Sequence, residues 1–405
     1  MIQEGEPSPF IMGRGEPAEK QQQLLLVRGG VLSPHSGLGG AFHDLRASLE
    51  SGSMLSWSLA EVSEYDLGTQ PSGFQRLLKR WFTHPRTVRQ RIKSLHRDGR
   101  LHLVHVSDQE QAHLVPRRCP VPVVVYVHDF FHMFPQLLEL SGQKIEVGEQ
   151  NPSTIRKRDL KRLMKGLHRA DGLICSTKAI EAMCREHFPS KPLFRIPYGL
   201  DATRYAPPEV LPARPAQLGK EQCHFLVVGS HDPRKRLAYL INVLSRLDDG
   251  LKSSIHIHHI GGDNCPYSGQ SAAAYAQQNN VQWSHVGSGI DDATLNLYRW
   301  HTEALLFPSA AEGFGYPPVE SMAAGQPVLA SLRPAHEELL IEGQGLPAED
   351  EQAWLAAIEA THKVWFERNG HPRTADPALM AHIQFLSPQR FHEAMDEAWN
   401  SFCSS

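Results

Sequence analysis

Eight short apolar runs recur along this chain, and no other feature limits its fold so tightly. They read QLLLVRGGV (23–31), LHLVHVSD (101–108), VPVVVYVHD (121–129), GLICST (172–177), HFLVVG (224–229), SIHIHHIGG (254–262), VQWSHVG (281–287) and EALLFPS (303–309). Each is rich in Val, Leu or Ile, too short for a buried helix, and closed by glycine or a small polar residue. Runs that are apolar almost throughout belong to strands covered on both faces, the condition of a parallel sheet. The intervening segments are long enough for helices, so the order predicts an α/β protein. No repeat of fixed period is present.

A chain of 405 residues exceeds what one hydrophobic core usually holds, so two domains are expected. Residues 1–22, rich in Gly, Pro, Glu and Gln, read as a mobile arm. A Rossmann-like α/β domain is expected over 23–195, a proline-rich linker over 196–222 and a second Rossmann-like domain over 223–375. Residues 376–405 then form a helical tail that crosses back to the first domain. Ligands of such sheets bind beyond the carboxyl ends of the strands, so the loops after the apolar runs carry the chemistry.

With a net charge of −3, the chain offers no global case for binding nucleic acid. Its first residues are polar and acidic instead of basic then apolar, and no apolar run is long enough to span a bilayer. A cytoplasmic protein is expected. Six cysteines lie scattered without a CxxC spacing, which argues against a disulfide framework or a zinc ribbon. Histidine is abundant, at 23 residues. Alternation along 254–262 puts His256 and His258 on one strand face, but no third ligand follows at a suitable spacing, and the expectation is no metal.

Residues 309–331, SAAEGFGYPPVESMAAGQPVLAS, hold the densest chemistry. Gly313 and Gly315 leave the backbone bare for close approach and tolerate positive φ. Pro317 and Pro318 suit a helix start, where a missing N–H is harmless, and the free amides there favour an anion such as a diphosphate. Glu320 is expected in the first helical turn, where it either complements the dipole or accepts from a ribose diol. Glu312, in the loop, is placed to accept from sugar hydroxyls.

Glu-x7-Glu around GFG, followed by proline and AAGQPV, resembles the donor-site signature of the retaining family-4 glycosyltransferases of GT-B fold, over about twenty consecutive positions. The resemblance implies two Rossmann-like domains facing each other across a cleft, with a UDP- or GDP-linked sugar as donor and a glycan or lipid-linked acceptor on the amino-terminal side. It implies donor contacts from Gly313, Phe314, Gly315, Tyr316 and Glu320, and a catalytic part for Glu312. The nucleotide-sugar is a substrate, no cofactor is expected, and the absence of any Asp-x-Asp in the sequence points to metal-independent transfer. Bacterial-type glycan, polysaccharide or glycolipid synthesis is the implied setting. An epimerase of GT-B-like fold, or a non-catalytic nucleotide-sugar-binding scaffold, are the rival readings.

Other loops fit the same family. In SPHSGLGGAFHDL (33–45) the third glycine of a dinucleotide fingerprint is replaced by Phe42, which disfavours a dehydrogenase. The resemblance makes Gly39 and Gly40 the pair that lets this loop approach donor and acceptor ahead of a helix beginning near Gly40. The His128–Asp129 pair ends an apolar run, and in the family a histidine there contacts the transferred sugar, which singles out His128. Arg234 and Lys235 match the basic positions that bind the donor diphosphate in the family, while Arg236 reads as solvated. A cation at a helix start opposes the dipole, a cost that an anionic ligand removes. Gly287 and residues 288–290 match the segment beside the base. Ser176 and Asp201 fall near the cleft or serve as turn and cap residues.

Residues 76–100 carry nine Lys/Arg and one acid, and 156–169 carry seven and one. Two readings stand: solvated helix faces, or peripheral contact with an anionic membrane at the cytoplasmic side.

Overall fold

The computed structural model describes residues 21–33, 37–265 and 269–404. The arm expected over residues 1–22 falls almost wholly outside them, as do residues 34–36 of the first glycine-rich loop. The first half contains β1 (Gln22–Gly30), β2 (Trp57–Tyr65), β3 (Leu103–Val106), β4 (Val123–Val127), β5 (Gln136–Leu140), β6 (Gln143–Val147), β7 (Gly172–Cys175) and β8 (Leu193–Arg195). Six of these form a sheet in the order β2-β1-β3-β4-β7-β8 with every pairing parallel, and β5 and β6 form a separate antiparallel hairpin.

The second half repeats the plan with β9 (Cys223–Val228), β10 (Ile255–Ile260), β11 (Trp283–Gly287), β12 (Ala304–Phe307), β13 (Val328–Ser331) and β14 (Gly345–Leu346). Their order is β11-β10-β9-β12-β13-β14, again all parallel. The expected α/β architecture of two sheets is therefore present, and all eight apolar runs are strands.

Burial follows the two-residue period of the strands. Along β1, Leu24 and Leu26 pack with Phe42, Leu45 and Leu49 of helix Gly37–Glu50, while Leu25 and Val27 pack with Val88, Ile92 and Leu95 of helix His84–Arg97. Burial of each such side chain contributes about 1.5–3 kcal/mol. The last helix, Pro388–Ser404, returns to the first half. Asp396 there accepts from the backbone N–H groups of Leu55 and Ser56, both at 2.8 Å, and Asn400 accepts from Trp57 Nε1 at 2.9 Å.

Strand order reverses between β1 and β3 in one sheet and between β9 and β12 in the other. Loops leaving the strands at such points diverge and open a crevice. The loops after β9 and β12 are the ones that carry Arg234, Lys235 and Glu312. Among the described residues no helix is long and apolar enough to cross a membrane.

Candidate functional site

The loop after β9 closes in a short turn, Pro233–Lys235, whose N-cap Asp232 accepts from Arg234 N–H at 3.1 Å. Arg234 and Lys235 thus precede the helix Leu237–Ser245 instead of opening it, which corrects the dipole expectation. Arg236 is the residue that enters the helix, in left-handed conformation at φ 54°. It is also buried, donating to Ala348 O at 2.7 Å with its guanidinium 3.8 Å from the Tyr239 ring centroid, so it is not the solvated cation expected.

The two cations converge on Glu312. Arg234 Nη1 donates to Glu312 Oε2 at 2.9 Å, while Lys235 Nζ and Ser309 Oγ both donate to Oε1 at 2.5 Å. Burial pushes the Glu312 carboxyl up, but Lys235 and Arg234 outweigh it and hold the group at about 2. Burial pulls the Lys235 ammonium down further than Glu312 restores it. The two cations are therefore compensated within the protein, so an anionic ligand is not needed to offset them, and the Glu312 carboxylate is engaged by three donors.

Beyond Glu312 the chain passes Gly313 and Phe314 to Gly315, the N-cap of helix Tyr316–Ala323 at φ 119°, a conformation open to glycine alone. Pro317 and Pro318 occupy its first turn, as expected. Glu320, however, is the fifth helical residue and the first turn holds no acid, so it does not complement the dipole there. Its carboxylate is held instead by Arg299, and accepts from Tyr205 Oη at 3.4 Å. Neither partner was expected from the sequence.

Gly313 lies against the amino-terminal half. A Cβ on it would stand 2.2 Å from His128 O, and its carbonyl accepts from Thr177 Oγ1 at 3.2 Å and Ser176 Oγ at 3.5 Å. His128 follows β4 as expected. Its Nε2 donates to Ser107 O at 2.8 Å, and its Nδ1 meets the Tyr198 hydroxyl. Burial lowers its pKa to about 4, so the ring is neutral at pH 7, with Nδ1 accepting from Tyr198. His128, Tyr198 and Tyr316 stack in sequence, at centroid separations of 5.5 and 5.2 Å, and Phe314 meets Tyr198 edge-on at 4.9 Å. Tyr198 joins the two halves at the site and was not singled out in the sequence, although its segment was.

The glycine pair Gly39 and Gly40 lies within the first turn of helix Gly37–Glu50, which starts earlier than expected and rests Gly37 against the Tyr316 ring. Gly287 closes β11 at φ 142°, its carbonyl accepting from Gly261 N–H at 2.9 Å, on the edge strand two places from β9. Asp201 caps a short turn, accepting from Thr203 Oγ1 at 2.6 Å, and lines a cavity of about 250 Å³ with Asp44, Arg204 and Tyr316.

Two facing parallel sheets of this kind are those of the GT-B glycosyltransferases. The structure superposes on sucrose-phosphate synthase from Thermosynechococcus elongatus with a TM-score of 0.68 at 19% identity, covering 95% of this chain and 100% of that one. It superposes on Anabaena HepE in complex with UDP with a TM-score of 0.61 at 15% identity, covering 94% and 100%. At these identities the likeness speaks for the fold. Models of Glycosyltransferase Family 4 and of Glycosyl transferases group 1 match residues 55–204 and 213–365 in tandem, and the chain belongs to this family of glycosyltransferases. It is also 44% identical over 57 residues to the O-antigen chain mannosyltransferase RfbU of Salmonella typhimurium, a stretch that spans 14% of this chain and 16% of that relative.

Proposed function

We propose that this protein transfers a sugar from a nucleoside diphosphate donor to a hydroxyl acceptor, with retention and without a metal ion, in the synthesis of a glycan, polysaccharide or glycolipid. The observation that carries the reading is the Arg234–Lys235–Glu312 cluster at the switch point of the second sheet, a peptide bond away from the Gly313 contact with His128. Breaking the anomeric C–O bond adds one negative charge to the two that the diphosphate already carries, and fixed cations aimed at that developing charge stabilise the transition state without reorganising. Glu312 holds both cations in place before the donor arrives. The bond from the anomeric carbon to the phosphate oxygen breaks as the acceptor oxygen attacks from the same face, and the acceptor proton passes to the departing phosphate. His128, neutral and anchored by Ser107 and Tyr198, orients the sugar and is not required as a base. Glu320, steadied by Arg299, accepts from the ribose.

Supporting this reading, a HepE structure of the same fold is described in complex with UDP, and the mannosyltransferase RfbU is a partial relative. UDP and GDP thermal-shift titrations in EDTA test it. One of the two is expected to stabilise the protein, by about 2.7 kcal/mol at a hundredfold excess over its dissociation constant, and Glu320→Gln to reduce the shift. Binding that appears only with a divalent ion defeats the metal-free reading. Product analysis separates transfer from epimerisation, and lack of turnover with any donor leaves only a scaffold.

Peripheral contact with an anionic membrane at the cytoplasmic face belongs to the same reading. Helix Gly73–Leu78 continues through a π-helical turn, Lys79–Thr83, into helix His84–Arg97, and the Arg162 guanidinium of helix Thr154–Arg169 lies 4.6 Å from the Trp81 ring centroid. Phe74, Leu78, Phe82 and Ile155 are exposed on these elements beside exposed Arg76, Lys157, Arg158 and Lys161. Each basic residue at a charged bilayer contributes about 1 kcal/mol. Not all the basic residues are available, since Arg80 and Arg156 both bind the buried Asp159. Replacing Lys157, Arg158 and Lys161 by Gln is therefore expected to abolish salt-sensitive flotation with anionic liposomes and to spare donor hydrolysis. Equal flotation with neutral liposomes leaves these residues as solvated faces.

A further inference from the structure

Three histidines meet in the second sheet, two of them noted in the sequence as a strand-face pair without a third ligand. The third comes from the neighbouring strand. Register pairs His256 of β10 with His224 of β9, so the side chains of His224, His256 and His258 share one face. One ring nitrogen of each lies within 4.8 Å of those of the other two. His224 Nδ1 and His258 Nε2 are 2.9 Å apart, and the His256 and His258 rings stack at 4.7 Å. His224 is the second residue of β9, so the group sits near the start of the strands, whereas Arg234, Lys235 and Glu312 follow their carboxyl ends.

The surroundings suit ligation better than they suit a neutral hydrogen-bonded stack. His224 Nε2 donates to Gly219 O at 2.7 Å, which fixes the ring and leaves its Nδ1 lone pair aimed at His258. His258 then donates from Nε2, and its Nδ1 is fully buried without a hydrogen-bond partner. Both His256 nitrogens are engaged, Nδ1 3.3 Å from Gln222 Oε1 and Nε2 2.8 Å from Ser284 Oγ, so a cation must displace one of these partners while the other holds the ring. A carbonyl oxygen on the far nitrogen is the usual device that orients a ligating histidine.

We propose that His224, His256 and His258 bind one divalent transition-metal ion that prefers imidazole, such as Zn²⁺, and that this ion links β9 to β10 at a site separate from donor binding. Tetrahedral zinc, at about 2.0–2.1 Å from nitrogen, places its ligands about 3.3 Å apart, so side-chain shifts of at most about 1.5 Å assemble the site. His258 moves its proton from Nε2 to Nδ1, His224 keeps its bond to Gly219, and the half-exposed His256 leaves the fourth position to solvent. Three neutral ligands with an open position match the imidazole sites that zinc, nickel and copper occupy.

The test uses untagged full-length protein stripped with EDTA, titrated with Zn²⁺ against a chromophoric chelator and followed by thermal denaturation. One Zn²⁺ per chain is expected, with a raised melting temperature and an unchanged UDP or GDP response. His256→Gln, at the accessible edge where folding tolerates change, is expected to weaken binding by more than roughly 100-fold, beyond the usual loss when only an orienting partner is removed. His224→Asn should abolish the zinc-dependent rise in melting temperature. The proposal is overturned if no saturable site is found, or if binding and stabilisation persist unchanged in the His256→Gln protein.

Discussion

Replacing Arg234 and Lys235 together by alanine is expected to reduce sugar transfer by roughly 10³-fold or more, since each fixed donor aimed at a developing anion is worth about 10²–10³ in rate. It is also expected to destabilise the protein. Both cations bind the mostly buried Glu312 carboxylate, and breaking a buried pair from one side costs about 3–5 kcal/mol because a charge is left without its partner. Adding Glu312→Gln should therefore restore the melting temperature while leaving transfer abolished. The pH dependence has a definite sign. In the native protein Glu312 titrates at about 2, so its pairing contributes stability above the ordinary carboxylate range, lost as pH falls through about 2. Without the cations, the Ser309 hydrogen bond still opposes the burial that pushes the Glu312 carboxyl up, but the two largest opposing causes are gone, so the deficit of the double variant should narrow as pH is lowered from 7 towards 4. Thermal denaturation across that range and turnover with the active donor make the check. Near-normal transfer by the double variant removes leaving-group stabilisation from this pair, and transfer recovered by the triple variant would make Glu312 an inhibitor of the site.

Parts of this arrangement that depend on local pattern were legible in the sequence. Val123 to Val127 read as a strand because both its faces are covered, and Gly315, Pro317 and Pro318 announced the turn into Tyr316–Ala323. What escaped was set by partners distant in the chain. β2, WSLAEVSEY, is an edge strand with mixed burial whose Glu61 and Glu64 pair with Arg91 and Arg46, so no apolar run marked it. β5 and β6 are exposed along most of one strand and lacked the same signal. Glu320 sits one turn later than its sequence pattern suggests because helix bounds are the least determined feature of a pattern. Arg299 and Tyr205, which hold it, lie 21 and 115 residues away along the chain. Arg236 departs from the solvated expectation for a related reason: a basic residue is most often exposed, and the Tyr239 ring, the Ala348 carbonyl and the Ser141 hydroxyl make its burial tolerable.

Gly313→Ala is expected to lower turnover by roughly 10²-fold with nucleotide affinity nearly unchanged. Gly313 is not held at a positive φ, so alanine brings no backbone penalty and its effect is steric. The added Cβ would stand 2.2 Å from His128 O and 3.2 Å from Asp129 Cβ, and the signature loop must retreat by about 1 Å, a misplacement that in an active site costs about 10²-fold. That retreat weakens the bonds from Thr177 and Ser176 to Gly313 O and draws Glu312 and its cations away from His128, the residue assigned to the sugar. Glu320 on helix Tyr316–Ala323 and Arg299 on helix Asp292–His301 both lie outside the displaced loop and should keep the nucleotide. Thr177→Val removes one of the same bonds without a clash, together with the helix N-cap bond from Ile180 N–H, and is expected to lose a small part of the rate and about 1 kcal/mol of stability. Calorimetric titration with the nucleoside diphosphate alongside steady-state turnover separates the two effects. Equal losses in affinity and turnover would mean that the loop serves donor binding alone; wild-type turnover would mean that close apposition of the two halves through Gly313 is not part of catalysis.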